Sequence, residues 1–400
     1  MSFIAPAGTP IRFSELSKLI PRYARVDAGD ELARTLARHA ERQRGWLIST
    51  GRAAMTVLLR AFKACADERR TDVIIPAYTC YSVPASVARA GLKPRLCDVD
   101  PRTLSLDLDR LQRIDPDRTL AIVSANLYGL PNALGEMEEW AHRNGVMMLD
   151  DAAQALGASY AGRPVGGFGA AAIYSFDKGK NITSLEGGAI VASSEALCDE
   201  IDRAAEALPP ARASHTLFTA AKLVAYSMLL HPRVYGLVQA LPFLGLGRTI
   251  YEDTYPITRY SNTLARVTRS LYARLAELTS VRERNAMAFR ESLRDVREVV
   301  PIALLSSAKG AYTRLPLLVP AQRRADILSA LQSAGIGATA SYPNALSDVP
   351  EVLALIGPED RDMPGAREVA SRIITLPTHP YTPTELPTRV RQIILDALRA

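Results

Sequence analysis

Residues 146–155 read VMMLDDAAQA, and residues 173–188 read IYSFDKGKNITSLEGG. The first stretch is an apolar run that closes on two acids, Asp150 and Asp151, with Gln154 just beyond. The second is another apolar run that passes Ser175 and turns through Lys178 and Lys180 towards Glu186. Short apolar runs bounded by acids or Gly-containing turns read as strands of a sheet covered on both faces. Ligands of such sheets sit outside the carboxyl ends of the strands, where these ionisable groups fall. Asp151 ends a buried strand, where an unpaired carboxylate is costly, so it needs a cationic or donor partner. The competing reading makes either acid a helix cap.

The same alternation extends outward from about residue 45 to 193. Strand candidates are 73–77, 94–99, 120–125, 146–150, 170–175 and 188–193, with helical patterns starting at Ala53, Ser82 and Leu134 between several of them. Apolar strands separated by amphipathic helices predict an α/β class with a helix-covered sheet. From about residue 260, TLARVTRSLYARLAELTSVRERNAMAFRESL reads as one long helix. A strand in AYTRLPLLV, a helix ended by Gly335 and a C-terminal helix complete a smaller α+β unit. The expected division is 1–260 for the large domain and 261–400 for the small one, a plausible pair of sizes.

Residues 215–247 are strongly apolar, but Lys222, His231, Pro232 and Arg233 break them into runs shorter than the ~20 residues of a spanning helix. They read either as interface helices or as a surface for peripheral membrane contact. Hydrophobic content of 48% with 22% charged residues is ordinary globular composition. The net charge of +6 comes from scattered basic residues with no basic block, so nucleic acid is not an expected partner. Cys65, Cys80, Cys97 and Cys198 show no metal-ligand spacing, which argues for a reduced cytoplasmic setting and no metal. The N-terminus shows no secretory pattern.

Only seven of the 48 basic residues are lysines, and two stand in the 178–180 turn. Lysine, unlike arginine, can lose its proton when desolvated and act as a nucleophile. A further element is ISTGRAAMTVLL, where Gly51, Arg52 and Ala53 open a helix whose free N–H groups suit a phosphate. Each element alone is weak, since solvated loop lysines and plain helix caps are common. Phosphate turn, acid, amide, hydroxyl and lysine together match what pyridoxal 5'-phosphate (PLP) requires of a protein.

On these motifs the chain resembles the DegT/StrS-type family of sugar aminotransferases. That family carries an acid followed by Asp-Ala-Ala-Gln, then Ser-Phe, three residues, a lysine and Asn, and later Gly-Glu-Gly-Gly. LDDAAQA and SFDKGKNITSLEGG share that register, with Lys180 at the lysine position. IIPAYTCYSVPASVARAGLKPRLCDVD, ANLYGLP and the LPTHP tail resemble other family stretches, so the likeness runs from about residue 45 to the C-terminus, the apolar insert excepted.

The resemblance implies the PLP-dependent transferase fold type I, with a large mixed-sheet α/β/α domain and a smaller α+β C-terminal domain. It implies a homodimer that moves an amino group, from glutamate, to a keto group of a nucleotide-linked deoxysugar in polysaccharide or glycoconjugate biosynthesis. Lys180 and Asp151 would be catalytic, Gln154 would touch the cofactor ring, and Ser175 with Gly51, Arg52 and Ala53 would hold the phosphate. Arg52, Cys80, Asn126, Asp177 and Leu185 depart from the family pattern, and Tyr81 is expected to replace the missing aromatic at the ring. By the same resemblance, Arg259 would be the remnant of a poorly preserved Asn-Tyr-Arg-Met segment that in the family reaches the phosphate from the partner subunit. Alternatives are a lipid-linked or non-sugar ketone as acceptor, or a non-catalytic regulatory relative.

Overall fold

The computed structural model describes residues 3–20, 27–239 and 250–399. Its centre is a seven-stranded sheet of β1 (Arg44–Ile48), β2 (Asp72–Pro76), β3 (Lys93–Cys97), β4 (Thr119–Ala125), β5 (Met147–Asp151), β6 (Ala171–Ser175) and β7 (Gly188–Ala192). The spatial order is β1-β7-β6-β5-β4-β2-β3. Every residue of β2, β4, β6 and β7 is buried, as apolar runs between two layers of helices require. β1 was not among the expected strands. Its sequence RGWLI is half-exposed and holds the sheet edge.

The pairing decides where the site lies. β2 to β6 run parallel, so Ala125, Asp151 and Ile173 come level across neighbouring strands. β7 runs antiparallel to both β6 and β1, pairing Gly188 with Ser175 on one side and with Ile48 on the other. The chain therefore leaves β1 next to Ser175 and enters the Gly51–Ala64 helix there. Four carboxyl ends, those of β1, β4, β5 and β6, meet at one edge of the sheet, as expected for a ligand site of this architecture.

The small domain is a three-stranded antiparallel sheet, Val300–Pro301, Arg314–Leu318 and Ile373–Pro377. The Arg324–Ser333 and Leu386–Arg399 helices pack together beside it. The segment expected as one long helix is two, Asn262–Tyr272 and Leu275–Ser292. The first packs on the Ala28–His39 helix of the large domain, whereas the second joins the C-terminal helix. Neither Gly nor Pro marks the break. Arg274 is drawn onto buried Glu15 at 2.9 Å, and this tertiary ion pair has no local signature.

The apolar insert forms two helices, Ala213–Leu229 and Pro232–Gln239, and its remainder, 240–247, lies outside the described residues. Among the described residues no helix is long and apolar enough to cross a membrane.

Candidate active site

A cavity of about 530 Å³ opens at the carboxyl edge of the sheet, and its walls include Thr50, Gly51, Arg52, Cys80, Asp151, Ser175, Lys180, Glu186 and Tyr342. Lys180 and not Lys178 belongs to this wall; Lys178 is exposed, with its N–H donating to the Asp177 carboxylate at 2.7 Å. The turn is held from beneath. Thr9 donates its hydroxyl to the carbonyls of Lys180 and Asn181 at 2.9 and 3.1 Å. Arg282, almost fully buried, donates to the Asn181 carbonyl at 3.1 Å and to Thr9 Oγ1 at 2.9 Å. Burial pushes its guanidinium down to about 10, and among the described residues no carboxylate pairs with it. Charge-assisted bonds to neutral oxygens hold it there instead.

The two acids separate into different roles. Asp150 accepts from Gly166 N–H at 2.6 Å, the Asn126 amide at 2.8 Å and the Ser124 hydroxyl at 3.2 Å. It is a satisfied anchor that pins the strand end to the 163–169 loop. Asp151 accepts from Ala153 N–H at 3.0 Å and otherwise faces the cavity wall. Burial pushes its carboxyl up to about 6, opposed by that N–H and by the charge of Lys180. A carboxylate kept this short of partners suits an added N–H cation.

At the opposite wall, Thr50 caps the Gly51–Ala64 helix by accepting from Ala53 N–H at 3.1 Å. Of the three residues expected at the phosphate, Gly51 and Arg52 line the cavity, while Ala53 has its N–H committed to this cap. A Cβ on Gly51 would stand 2.7 Å from the Ser175 Cβ, so only glycine lets helix and strand end meet. The Arg52 side chain turns outward to Glu252 at 2.7 Å and over the Tyr255 ring. Only its backbone is left to face the cleft.

Two expectations are placed differently. Tyr81 does not line the cavity; Cys80 does, and the Tyr81 ring lies 6.2 Å from that of Tyr342. Gln154 is also set back, accepting from Tyr128 N–H at 3.0 Å and donating to Tyr342 Oη at 3.2 Å. Tyr342 therefore occupies the wall that both were expected to serve. It comes from a loop far along the chain with no motif of its own. Arg259 donates to the carbonyls of Glu206 and Leu208 at 2.7 and 3.1 Å within its own chain. Leu185 adopts φ +68°, keeping the left-handed backbone course that a glycine would take more cheaply.

The fit to PLP rests on three observations. An under-partnered acid sits on one wall, a lysine on another, and a glycine cradle at a helix N-terminus lies against a serine hydroxyl. Together they provide for a ring nitrogen, an aldehyde and a phosphate.

A sequence model of the DegT/DnrJ/EryC1/StrS aminotransferase family matches residues 22–219 and 247–395. A pleiotropic regulatory protein of Geobacillus stearothermophilus is 32% identical over 185 residues, covering 45% of this chain and 49% of that protein. The L-glutamine:2-deoxy-scyllo-inosose aminotransferase of Streptomyces kanamyceticus is 34% identical over 145 residues, 36% of this chain and 34% of that one. The chain thus spans about half or less of the length of these curated relatives. The solved structure of Helicobacter pylori PseC, described as an aminotransferase in pseudaminic acid biosynthesis, superposes with a TM-score of 0.81 at 18% identity and full coverage of both chains. That likeness shows the fold. The chain belongs to the DegT/DnrJ/EryC1/StrS aminotransferase family.

Proposed function

We propose that this protein is a PLP-dependent aminotransferase that delivers an amino group to a keto group of a nucleotide-linked deoxysugar. The observation that carries the reading is the convergence of Lys180, Asp151, Ser175 and the Gly51 helix start on one cavity. When bound, PLP supplies a covalent carbonyl handle for amines and a ring that accepts electrons.

Each residue then has a physical task. Lys180 would hold the cofactor through Nζ and would serve as the general base that moves a proton at the substrate carbon. Asp151 would keep the ring nitrogen protonated by offering an anion in a low-dielectric wall. The Gly51 and Arg52 N–H end of the helix and the Ser175 hydroxyl orient the phosphate. Cys80 and Tyr342 line the cavity that would take the ring, and Gln154 fixes Tyr342 through its hydroxyl.

The amino donor is glutamate; glutamine belongs in the same test, since a curated relative is named for it. The enzyme works as a homodimer, as the family resemblance implies, and its free cysteines support a reduced cytoplasmic setting. Arg259 donates through Nε and Nη2 to carbonyls of its own chain and stays the candidate for the contact to the partner subunit's phosphate. The regulatory reading has a named relative in its favour, but a regulator needs neither Lys180 nor a cavity around it.

The test is a set of half-reactions with purified coloured protein. Nucleotide-linked 4-amino and 3-amino deoxysugars are offered in turn, and the shift from the aldehyde to the amine absorbance of the cofactor is read. Conversion by one of these sugars supports the reading. A colourless protein, or a coloured one that reacts with glutamate alone, contradicts it.

A further inference from the structure

The Ala213–Leu229 helix is apolar on both of its faces, and only one of them is buried. Thr219, Leu223 and the adjoining Leu230 pack inward. The outward stripe is Leu217 at 73% exposure, Phe218 at 61%, Ala221, Lys222, Ala225, Met228 at 64% and Leu229. Leu217 and Ala221, Phe218 and Lys222, Ala221 and Ala225, and Ala225 and Leu229 each stand four residues apart, so the stripe forms one ridge along the helix. A surface helix of a water-soluble protein ordinarily turns polar residues outward.

The charge pattern identifies what this ridge fits. The sequence from 207 to 239 contains no Asp or Glu but carries Arg212, Lys222 and Arg233. Lys222 Nζ lies 4.7 Å over the Phe218 ring, so a cation and an aromatic stand together at the ridge. Apolar side chains flanked by cations, with acids absent, complement an anionic bilayer surface. At 17 residues the helix is too short to span one and can only lie on it.

Position gives the surface a use. His215 bonds the Glu186 carboxylate at 2.7 Å, and Thr219 donates to the same oxygen at 3.3 Å. Glu186 lines the Lys180 cavity, so the helix rests directly on the rim of the site. The family model matches residues up to 219 and resumes at 247, so most of this surface lies outside the matched stretches.

We propose that the outward face of the Ala213–Leu229 helix docks the protein on anionic lipid bilayers and brings the cavity mouth to the headgroup layer. The proposal does not depend on which acceptor is aminated. It is tested by flotation of the full-length protein with phosphatidylcholine vesicles and with vesicles that also carry phosphatidylglycerol. Recovery is expected to be roughly tenfold higher with the anionic vesicles and to fall as salt is raised.

The double variant Leu217→Ser, Phe218→Ser should lose flotation, and Lys222→Glu should weaken it. Both should keep the wild-type circular dichroism, native mass and cofactor colour. Equal recovery with both vesicle types, absence of flotation, or flotation unchanged in the double variant would each overturn the proposal. So would a fall in native mass of the double variant, which would assign the ridge to contact between two copies.

Discussion

At the scale of single residues, the site separates groups that act from groups that hold them. Asp151 has its carboxyl raised from 3.8 to about 6 by burial. In the cofactor-free protein its contribution to stability is therefore present at low pH and is lost as pH rises through 6. The loss is on the order of 3 kcal/mol at neutral pH. Asp151→Asn should raise the melting temperature of the apoprotein at pH 8 and abolish its binding of PLP. An unchanged apoprotein stability would show that the carboxylate already has its counter-charge.

Arg282 acts through others. Its removal takes three donated bonds from the Lys180 turn and the N-terminal segment. Arg282→Met, close in length and uncharged, should lower kcat far more than it raises the KM for glutamate and should shift the absorbance of bound cofactor. A purely structural role would instead lower stability with the absorbance unmoved. The motif register was legible at this scale because Lys180, Asp151 and Ser175 are fixed by local backbone. Tyr342 and Arg282 were not, because each reaches the site from more than a hundred residues away.

At the scale of elements, the decisive contact is the close approach of the Gly51–Ala64 helix to the end of β6. Gly51→Ala places a methyl 2.7 Å from the Ser175 Cβ, so helix start or strand end must shift. An affinity for PLP lower by about five- to thirtyfold is expected, from a loss of one or two phosphate hydrogen bonds at ~1 kcal/mol each. Titration of the apoprotein by absorbance measures it.

Sequence periodicity placed the buried strands and their helices to within one or two residues, because most of those strands carry a continuous apolar run. It missed β1, whose RGWLI alternates weakly at an edge. It also ran two helices into one at Ala273–Arg274, where neither Gly nor Pro marks the boundary.

At the scale of the whole molecule, the N-terminal segment ties both domains to the catalytic turn. Ile4 bridges to Ile336 of the small domain, and Thr9 binds the Lys180 carbonyl of the large one. Buried His379 pairs its Nε2 with the Ala5 carbonyl at 2.8 Å and accepts from Tyr381 N–H on the other nitrogen. Burial pushes its imidazole down to about 4 from 6.5, so the fold keeps it neutral. That stabilisation is complete above pH 6.5 and is lost as pH falls towards 4. Hydrogen exchange at pH 5 should accordingly show the 4–11 segment opening before the sheet, and His379→Gln should remove the pH dependence. This clamp could not be read from the sequence, since its two ends lie at opposite termini.

The most direct measurement is borohydride reduction of the coloured holoprotein, followed by digestion and fragment mass mapping. The assignment of the site predicts a pyridoxyl-phosphate mass on Lys180 alone. The same mass on Lys178, elsewhere, or on no residue would contradict it.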